Sequence, residues 1–237
     1  MLVHDCNWMM LEEYLKHDDR VVLPIGSTEQ HGYLSVGTDA ILAERVSAEA
    51  AEPLGVPVMP VLPFGLAPYF AAFPGSMTVR ASTYLALIRD LLDSLTRQGF
   101  RRIAIVNGHG GNSPAVGVVR EWIAEDRPER VQVVFHSWYN APRTAEASLR
   151  FGPSISHGSW VENFPWTRIP GVVPPEGSKP VIPNEVIVQS TPQEIRELTV
   201  DGSFGGPHVR PDEEMLEIWR TGVAEVREVI ENGWSVK

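Results

Sequence analysis

Apolar runs of strand length alternate along this chain with segments whose apolar residues recur at helical spacing. Four runs read as strands: "RVVLPIG" (20–26), "VPVMPVLPFG" (56–65), "RRIAIVNG" (101–108) and "VQVVFHSWY" (131–139). Between the first two, Ile41, Leu42 and Val46 share one face of a helix through "AILAERVSAEAA", with Thr38 or Asp39 as its cap. Leu85, Ile88, Leu92 and Leu95 predict a second helix, capped by Ser82 and ending near Gly99. A third begins at about Ser113, where Pro114 suits the first turn. From Pro211, the stripe Met215, Ile218, Trp219, Val223, Val226 and Ile230 predicts a C-terminal helix and reads as core packing. This alternation specifies an α/β protein with a mostly parallel sheet.

The pattern breaks between residues 152 and about 190. Pro and Gly rise there, and "IPGVVPPEGSKPVIPNE" suits neither a regular helix nor a central strand. A long ordered loop of this kind serves as a lid or an interface more often than as filler. At 237 residues, 43% hydrophobic and 21% charged, the chain reads as one globular domain, 1–237. No apolar stretch is long enough to span a membrane, and "MLVHDCNWMM" lacks the layout of a signal peptide, so a cytoplasmic protein is expected. The formal charge of −10, with only three lysines, argues against a nucleic-acid partner. Cys6 is the only cysteine, so any metal must be held by His, Asp and Glu.

Three segments concentrate ionisable residues at, or just beyond, the carboxyl ends of expected strands. "GSTEQHGYLSVGTD" carries Glu29, His31 and Asp39; "IVNGHGGN" carries Asn107, His109 and Asn112; "ISHGSWVEN" carries His157 and Glu162. Ligands of open parallel sheets collect outside those strand ends, so a single site is the economical reading. Taken singly, Asp, Ser, Thr and Gly in a loop are turn chemistry, and a lone His is a satisfied structural residue. Glu-x-His followed by Asp, beside a glycine-flanked His, is what converging metal ligands need. The glycines of "NGHGGN" suit either a tight turn with positive φ or open space around His109. The run matches neither G-x-G-x-x-G nor a P-loop, so a nucleotide site is set aside.

"PIGSTEQHGYLSVGTDA" and "VNGHGGN", supported by "FPGSMTV" (73–79) and by the His-Gly-x-x-x-Glu of "HGSWVE", resemble the creatininase family of metal-dependent amidohydrolases. The resemblance covers roughly residues 20–165. It implies a single-domain α/β/α layered sandwich, two divalent metal ions per chain, Zn²⁺ or Mn²⁺, and a homo-oligomer, commonly a hexamer. Carried over by position, it makes Glu29 and His109 ligands of one metal, His31 a ligand of the other and Asp39 the bridge. Gly110 and Gly111 occupy one place where the family keeps a further carboxylate, which leaves Glu162, and His157 falls near the reacting group. Two departures stand out. His31 and Asp39 are eight positions apart where members usually have nine, with Tyr33 or Leu34 in place of a second His, and "ENFPWTR" replaces a Glu-Thr-Ser continuation.

The function implied is hydrolysis of a small polar, cyclic substrate, with metal-activated water attacking a carbonyl to cleave a C–N bond and His157 passing a proton. Trp160, Trp166, Arg168 and Tyr33 are the expected substrate contacts, with Trp160 or Trp166 near a subunit contact or the pocket mouth. The alternatives are C–C hydrolysis of a cyclic diketone of the inositol-catabolic type and, from another class, a non-catalytic sugar-binding or structural subunit.

Overall fold

The computed structural model describes residues 1–125, 130–152 and 156–234. Helix α1 (Trp8–Tyr14) precedes strand β1 (Arg20–Ile25); α2 (Thr38–Ala51) and α3 (Ala81–Gln98) lead to β2 (Arg102–Asn107), and α4 (Ala115–Ala124) leads to β3 (Gln132–Ser137). Then follow α5 (Pro142–Phe151), β4 (Ser178–Lys179), α6 (Asn184–Ile187), α7 (Pro192–Thr199), β5 (Gly206–Pro207) and α8 (Asp212–Asn232).

Strands β1, β2 and β3 lie side by side in that order, all parallel, so their carboxyl ends Ile25, Asn107 and Ser137 fall in one row. The period-two alternation of a strand divides them between two cores. Val21, Leu23, Ile25, Ile103 and Ile105 pack on α3 and on Trp122 of α4. Val22, Ala104 and Val106 face α2, α5 and the stripe of α8. Helices on both faces make the α/β/α sandwich expected from sequence. All six stripe residues of α8 are buried, each contributing roughly 1.5–3 kcal/mol of transfer free energy if large and apolar.

The run 56–65 is not the regular strand its apolarity predicts. Val58 and Leu62 form isolated parallel bridges to Val22 and Ile25, and the span from Val58 to Leu62 is one residue longer than that from Val22 to Ile25. Val22 donates to Pro57 O (2.9 Å) and Leu62 to Pro24 O (3.0 Å). Pro57, Pro60 and Pro63 have no amide hydrogen to give, so the ribbon follows the edge of β1 without completing a ladder. Helix starts differ by a residue or two. Gly37, not Thr38 or Asp39, caps α2, because the Asp39 carboxylate is turned into the site and Thr38 Oγ1 donates to Ser35 O. Arg80 rather than Ser82 precedes α3, and α4 begins at Ala115 after a 3-10 turn at Gly110–Asn112. Gly99 ends α3 in the left-handed conformation, as its place in the sequence predicts.

The Pro-rich stretch holds no long element between Glu162 and α6. Ile155, at the head of the third segment, lies outside the described residues. Helix α6 stands on a satellite core of Ala67, Phe70, Ile187 and Ile195, which Ile182 and Phe204 extend.

Candidate metal centre

Glu29 and His31 leave β1 in a loop that backbone and side-chain bonds brace from several directions. Glu29 N–H donates to Val36 O (2.8 Å), Gln30 N–H to Ser76 Oγ (2.9 Å) and Met77 N–H to Thr28 O (2.8 Å). The "FPGSMTV" segment therefore acts as a splint for the loop and supplies no side chain to the cluster. Asp39 enters from the first turn of α2, where a carboxylate is favoured by the helix dipole. Gly108, at the end of β2, makes that approach fit: a Cβ there would lie 2.5 Å from Asp39 O.

His109 follows Gly108. Asn107 Oδ1 accepts from His109 N–H (3.1 Å), and Asn112 links Leu66 N–H and Gly26 O across the loop. Gly111 lets the chain double back: a Cβ would meet Leu66 O at 2.1 Å and His109 Nε2 at 2.4 Å. Its φ is not positive. Of the two roles the sequence leaves open for these glycines, space around His109 is the one used. The third segment delivers Glu162 on a 3-10 turn (Trp160–Glu162), oriented by the Gly158 amide, which donates to Glu162 Oε2 at 2.7 Å.

Six side chains converge: Glu29, His31, Asp39, His109, His157 and Glu162. Asp39 has one oxygen on each side, Oδ1 3.1 Å from His31 Nε2 and Oδ2 2.9 Å from His109 Nδ1. Glu29 Oε2 lies 3.3 Å from the same His109 nitrogen, and Glu162 Oε1 lies 3.7 Å from His31 Nε2. Three groups of ligand type result, Glu29–Asp39–His109, His31–Asp39–Glu162 and Glu29–His31–His157, with Asp39 shared by the first two. His157 joins from the third side, its Nδ1 3.8 Å from Glu29 Oε1. The shortened His31–Asp39 loop leaves Asp39 inside the cluster.

Each histidine ties its outer nitrogen to a backbone carbonyl: His31 Nδ1 to Glu29 O (3.0 Å), His109 Nε2 to Leu66 O (2.9 Å) and His157 Nε2 to Gln30 O (2.8 Å). For His31 and His109 the outer nitrogen thus carries the proton, and the inner one points a lone pair at carboxylate oxygens, as metal-ligating histidines do; His157 Nε2 also lies 3.0 Å from the Gln30 side-chain amide nitrogen. Glu29 Oε2 and Asp39 Oδ2 are buried without a hydrogen-bond donor. Lone pairs facing each other at these distances need a positive charge between them, a proton or a cation. This donor set, imidazole plus carboxylate with its outer shell in place, fits divalent metal.

Without metal, protons fill that role. Burial opposes charge on His31 and His109, but Asp39, with Glu162 or Glu29, outweighs it and raises them to about 10 and about 9. Burial also works against the Asp39 carboxylate, yet the two histidines hold it far below the usual range. Burial and the Asp39 charge push Glu29 up to about 8, and burial raises Glu162. His157 goes the other way: burial, then the charge of His31, hold it well below an ordinary imidazole.

A cavity of about 340 Å³ opens on the cluster, with Glu29, Asp39, His109, His157 and Glu162 on its inner wall. The expected substrate contacts do not line it. Trp160 is fully buried in the core beneath α8, so it also does not stand at a surface contact. On a turn with three residues per revolution it points a third of a turn away from Glu162. Trp166 stacks on Phe164 with Arg45 over its face, and Arg168 is bound to Asn163 and Asp212. Tyr33 and Arg168 border a separate small cavity. Tyr139 does line the main cavity, with its phenol raised by burial to about 12 and so a neutral donor. It follows β3 by two residues, and the strand-end rule that located the histidines would have located it.

A three-layer α/β/α scaffold with a buried His/carboxylate cluster at the ends of its parallel strands belongs with the metal-dependent hydrolases. The chain is a member of the creatininase family: the family model described as creatinine amidohydrolase matches residues 4–230. It is similar to creatinine amidohydrolase of Pseudomonas putida, 32% identical over 120 residues, which cover 48% of this chain and 46% of that protein. Similarity extends to 3-dehydro-scyllo-inosose hydrolase of Thermotoga maritima (30% over 102 residues; 42% and 33%) and to mycofactocin precursor peptide peptidase of Mycolicibacterium smegmatis (34% over 103 residues; 40% and 41%). The matched stretches thus span less than half the length of these curated relatives. In solved structures, a crystal structure of creatinine amidohydrolase superposes with a TM-score of 0.84 over 100% of this chain and 98% of that one, at 22% identity. A structure titled "Creatininase Mn" gives 0.82 over 99% of both chains at 22% identity. At that identity the likeness establishes the fold.

Proposed function

We propose that this chain is a dinuclear metal-dependent hydrolase that cleaves a C–N amide bond in a small substrate. The observation that carries the reading is Asp39, buried with one oxygen toward His31 and the other toward His109, shared by two triads of ligand type. Glu29 and His109 would hold one ion, His31 and Glu162 the other, and Asp39 both. Two divalent ions carry a charge of +4 against −3 from the carboxylates, so one further anion completes neutrality, and Zn²⁺ or Mn²⁺ suits these donors. Such ions, when bound, activate water near neutral pH and polarise a carbonyl oxygen.

The chain's own residues supply the rest. His157 Nε2 is held against Gln30 O and the Gln30 side-chain amide, so Nδ1 is the nitrogen that faces the cluster and would pass a proton to the leaving nitrogen. The ring is fixed between Phe70, stacked at 4.4 Å, and Phe204 at 5.0 Å. The neutral phenol of Tyr139 donates to a substrate oxygen, and the apolar walls exclude water around the cluster. Outside the cluster, the polar side chains on the wall are Tyr69, Tyr139, Ser156, Asn184 and Trp138, whose buried indole N–H has no partner, among the described residues. A ring of hydroxyls would leave several groups unpaired there, which favours amide cleavage over the cyclic-diketone reading. The full donor set also weighs against a non-catalytic subunit.

The test is metal content with activity: purified protein loaded with Mn²⁺ or Zn²⁺ should retain about two equivalents per chain and hydrolyse amides. Less than one equivalent, with no hydrolysis by any loaded form, would refute the reading. We further propose a cytoplasmic homo-oligomer, the hexamer the resemblance implies. The exposed Ile169, Val172 and Val173 of the Pro-rich stretch are apolar surface for its contacts. Light scattering that gave the mass of one chain for fully active protein would exclude it.

A further inference from the structure

The cavity wall combines two kinds of surface, the His/carboxylate cluster and an apolar lining that includes Leu66, Phe70, Val161, Ile187, Val188 and Phe204. Phe70 and Phe204 pack on the His157 ring, so the apolar lining adjoins the cluster. No Lys or Arg lines the cavity among the described residues, and its charged groups are the carboxylates of the cluster itself. A substrate that filled this space with hydroxyls or a carboxylate would lose hydration there and find few partners in return. An apolar group loses no hydrogen bond there and gains by leaving water. The volume, about 340 Å³, is at the small end of ligand sites. It accommodates a reacting amide and one substituent.

The apolar lining is also a built feature of the fold. Ile187 is buried in the satellite core beside Phe70 and Ile195, and Phe204 extends the same core, so the wall is held in place before any ligand arrives. Its parts come from the 66–70 segment, from α6 and from the chain before β5, three stretches distant in sequence that meet only here.

Resting on the metal-hydrolase reading above, we infer that the substrate is a neutral amide with an aromatic or branched aliphatic substituent next to the reacting carbonyl. The amide end faces the cluster, and the substituent lies along the apolar lining at Val161, Val188 and Phe204. This replaces the polar substrate that the sequence suggests with an amphiphilic one.

Hydroxamates test it, because they bind a metal centre through one end and carry any chosen group on the other. Titrated into the metal-loaded full chain, phenylacetohydroxamate should bind at least about 10-fold tighter than acetohydroxamate, within the range one apolar group earns in such a pocket. The monohydroxamate of succinate, with its free carboxylate, should bind more weakly than either. Val188→Glu, at an exposed position that leaves the fold intact, and Phe204→Ala should each shrink the phenylacetyl preference to less than about 3-fold. Equal binding of the first two probes, tightest binding of the succinate probe, or a preference unchanged in both variants would overturn the inference. If no hydroxamate distinguishes loaded from metal-free protein, the metal centre itself is wrong and the inference falls with it.

Discussion

Asp39→Asn isolates the contribution of one charge. Asparagine has the shape of aspartate, so the perturbation leaves the packing of α2's first turn as it is and removes a single negative charge. The residue sits buried in the first turn of that helix. The ligand-type atoms of each triad lie within 4.8 Å of one another, which puts an ion held by all three closer than 4 Å to the Asp39 carboxylate. At 4 Å and an effective dielectric of about 20, one pair of unit charges is worth about 4 kcal/mol. That is roughly three decades of affinity for each ion, before the double charge of the cation is counted. A neutral amide must also place its NH₂ where one of the two carboxylate oxygens stood, so at least one site loses a ligand atom. Metal analysis after dialysis should therefore find at least one equivalent missing from the variant, with hydrolysis abolished and the circular dichroism spectrum unchanged. Full metal content with near-normal turnover would show that Asp39 bridges nothing.

Three further outcomes follow from the same geometry. His157→Ala should keep both ions and lose on the order of 10²-fold in kcat, whereas Glu162→Ala should lose metal; the opposite pattern in metal analysis would exchange their roles. In metal-free protein, Glu29, His31 and His109 are raised above their unfolded values, so the stability they contribute is greatest at low pH and falls as pH rises through about 8 to 10. The gain in Tm on adding Zn²⁺ or Mn²⁺ should accordingly grow between pH 6 and pH 9, and a pH-independent gain would contradict protons standing in for metal. Gly111→Ala puts a methyl group against Leu66 O and His109 Nε2; it should break their hydrogen bond and cost one equivalent of metal, which a wild-type metal content in the variant would disprove.

Much of the fold was legible because it is written locally. Three parallel strands and the helices α2, α3 and α8 follow from apolar spacing, α4 from Pro114 at its start, and Gly99 marks its helix end by its own conformation. What escaped depends on distant partners. Helix α5 has no cap of its own at Ala141; Glu225, on α8, accepts from Arg143 N–H (3.2 Å) and Thr144 N–H (3.0 Å) and performs that role from eighty residues away. The run 56–65 is apolar enough for a strand, but Pro57, Pro60 and Pro63 deprive it of the amide hydrogens a ladder needs.

The same division runs through the site and explains why its two surfaces were so unequally readable. The residues of the cluster belong to short motifs, each anchored to a strand end or a tight turn, so position in the motif nearly fixes position in space. His109 faces inward because Gly111 admits the Leu66 carbonyl to its outer nitrogen, and Glu162 because Gly158, four residues earlier, donates to it. The cavity wall has no such motif. Leu66 and Phe70 look like loop residues, Ile187 belongs to a four-residue helix in a Pro-rich stretch, and Phe204 precedes a two-residue strand; only packing on one another gives them a common face. Trp160, Trp166 and Arg168 were the conspicuous side chains nearby, and each was already engaged in holding the chain together. The proposed reacting groups are thus encoded by spacing and the cavity wall by tertiary assembly, so a chain could keep the motifs and change the wall through residues that no motif records.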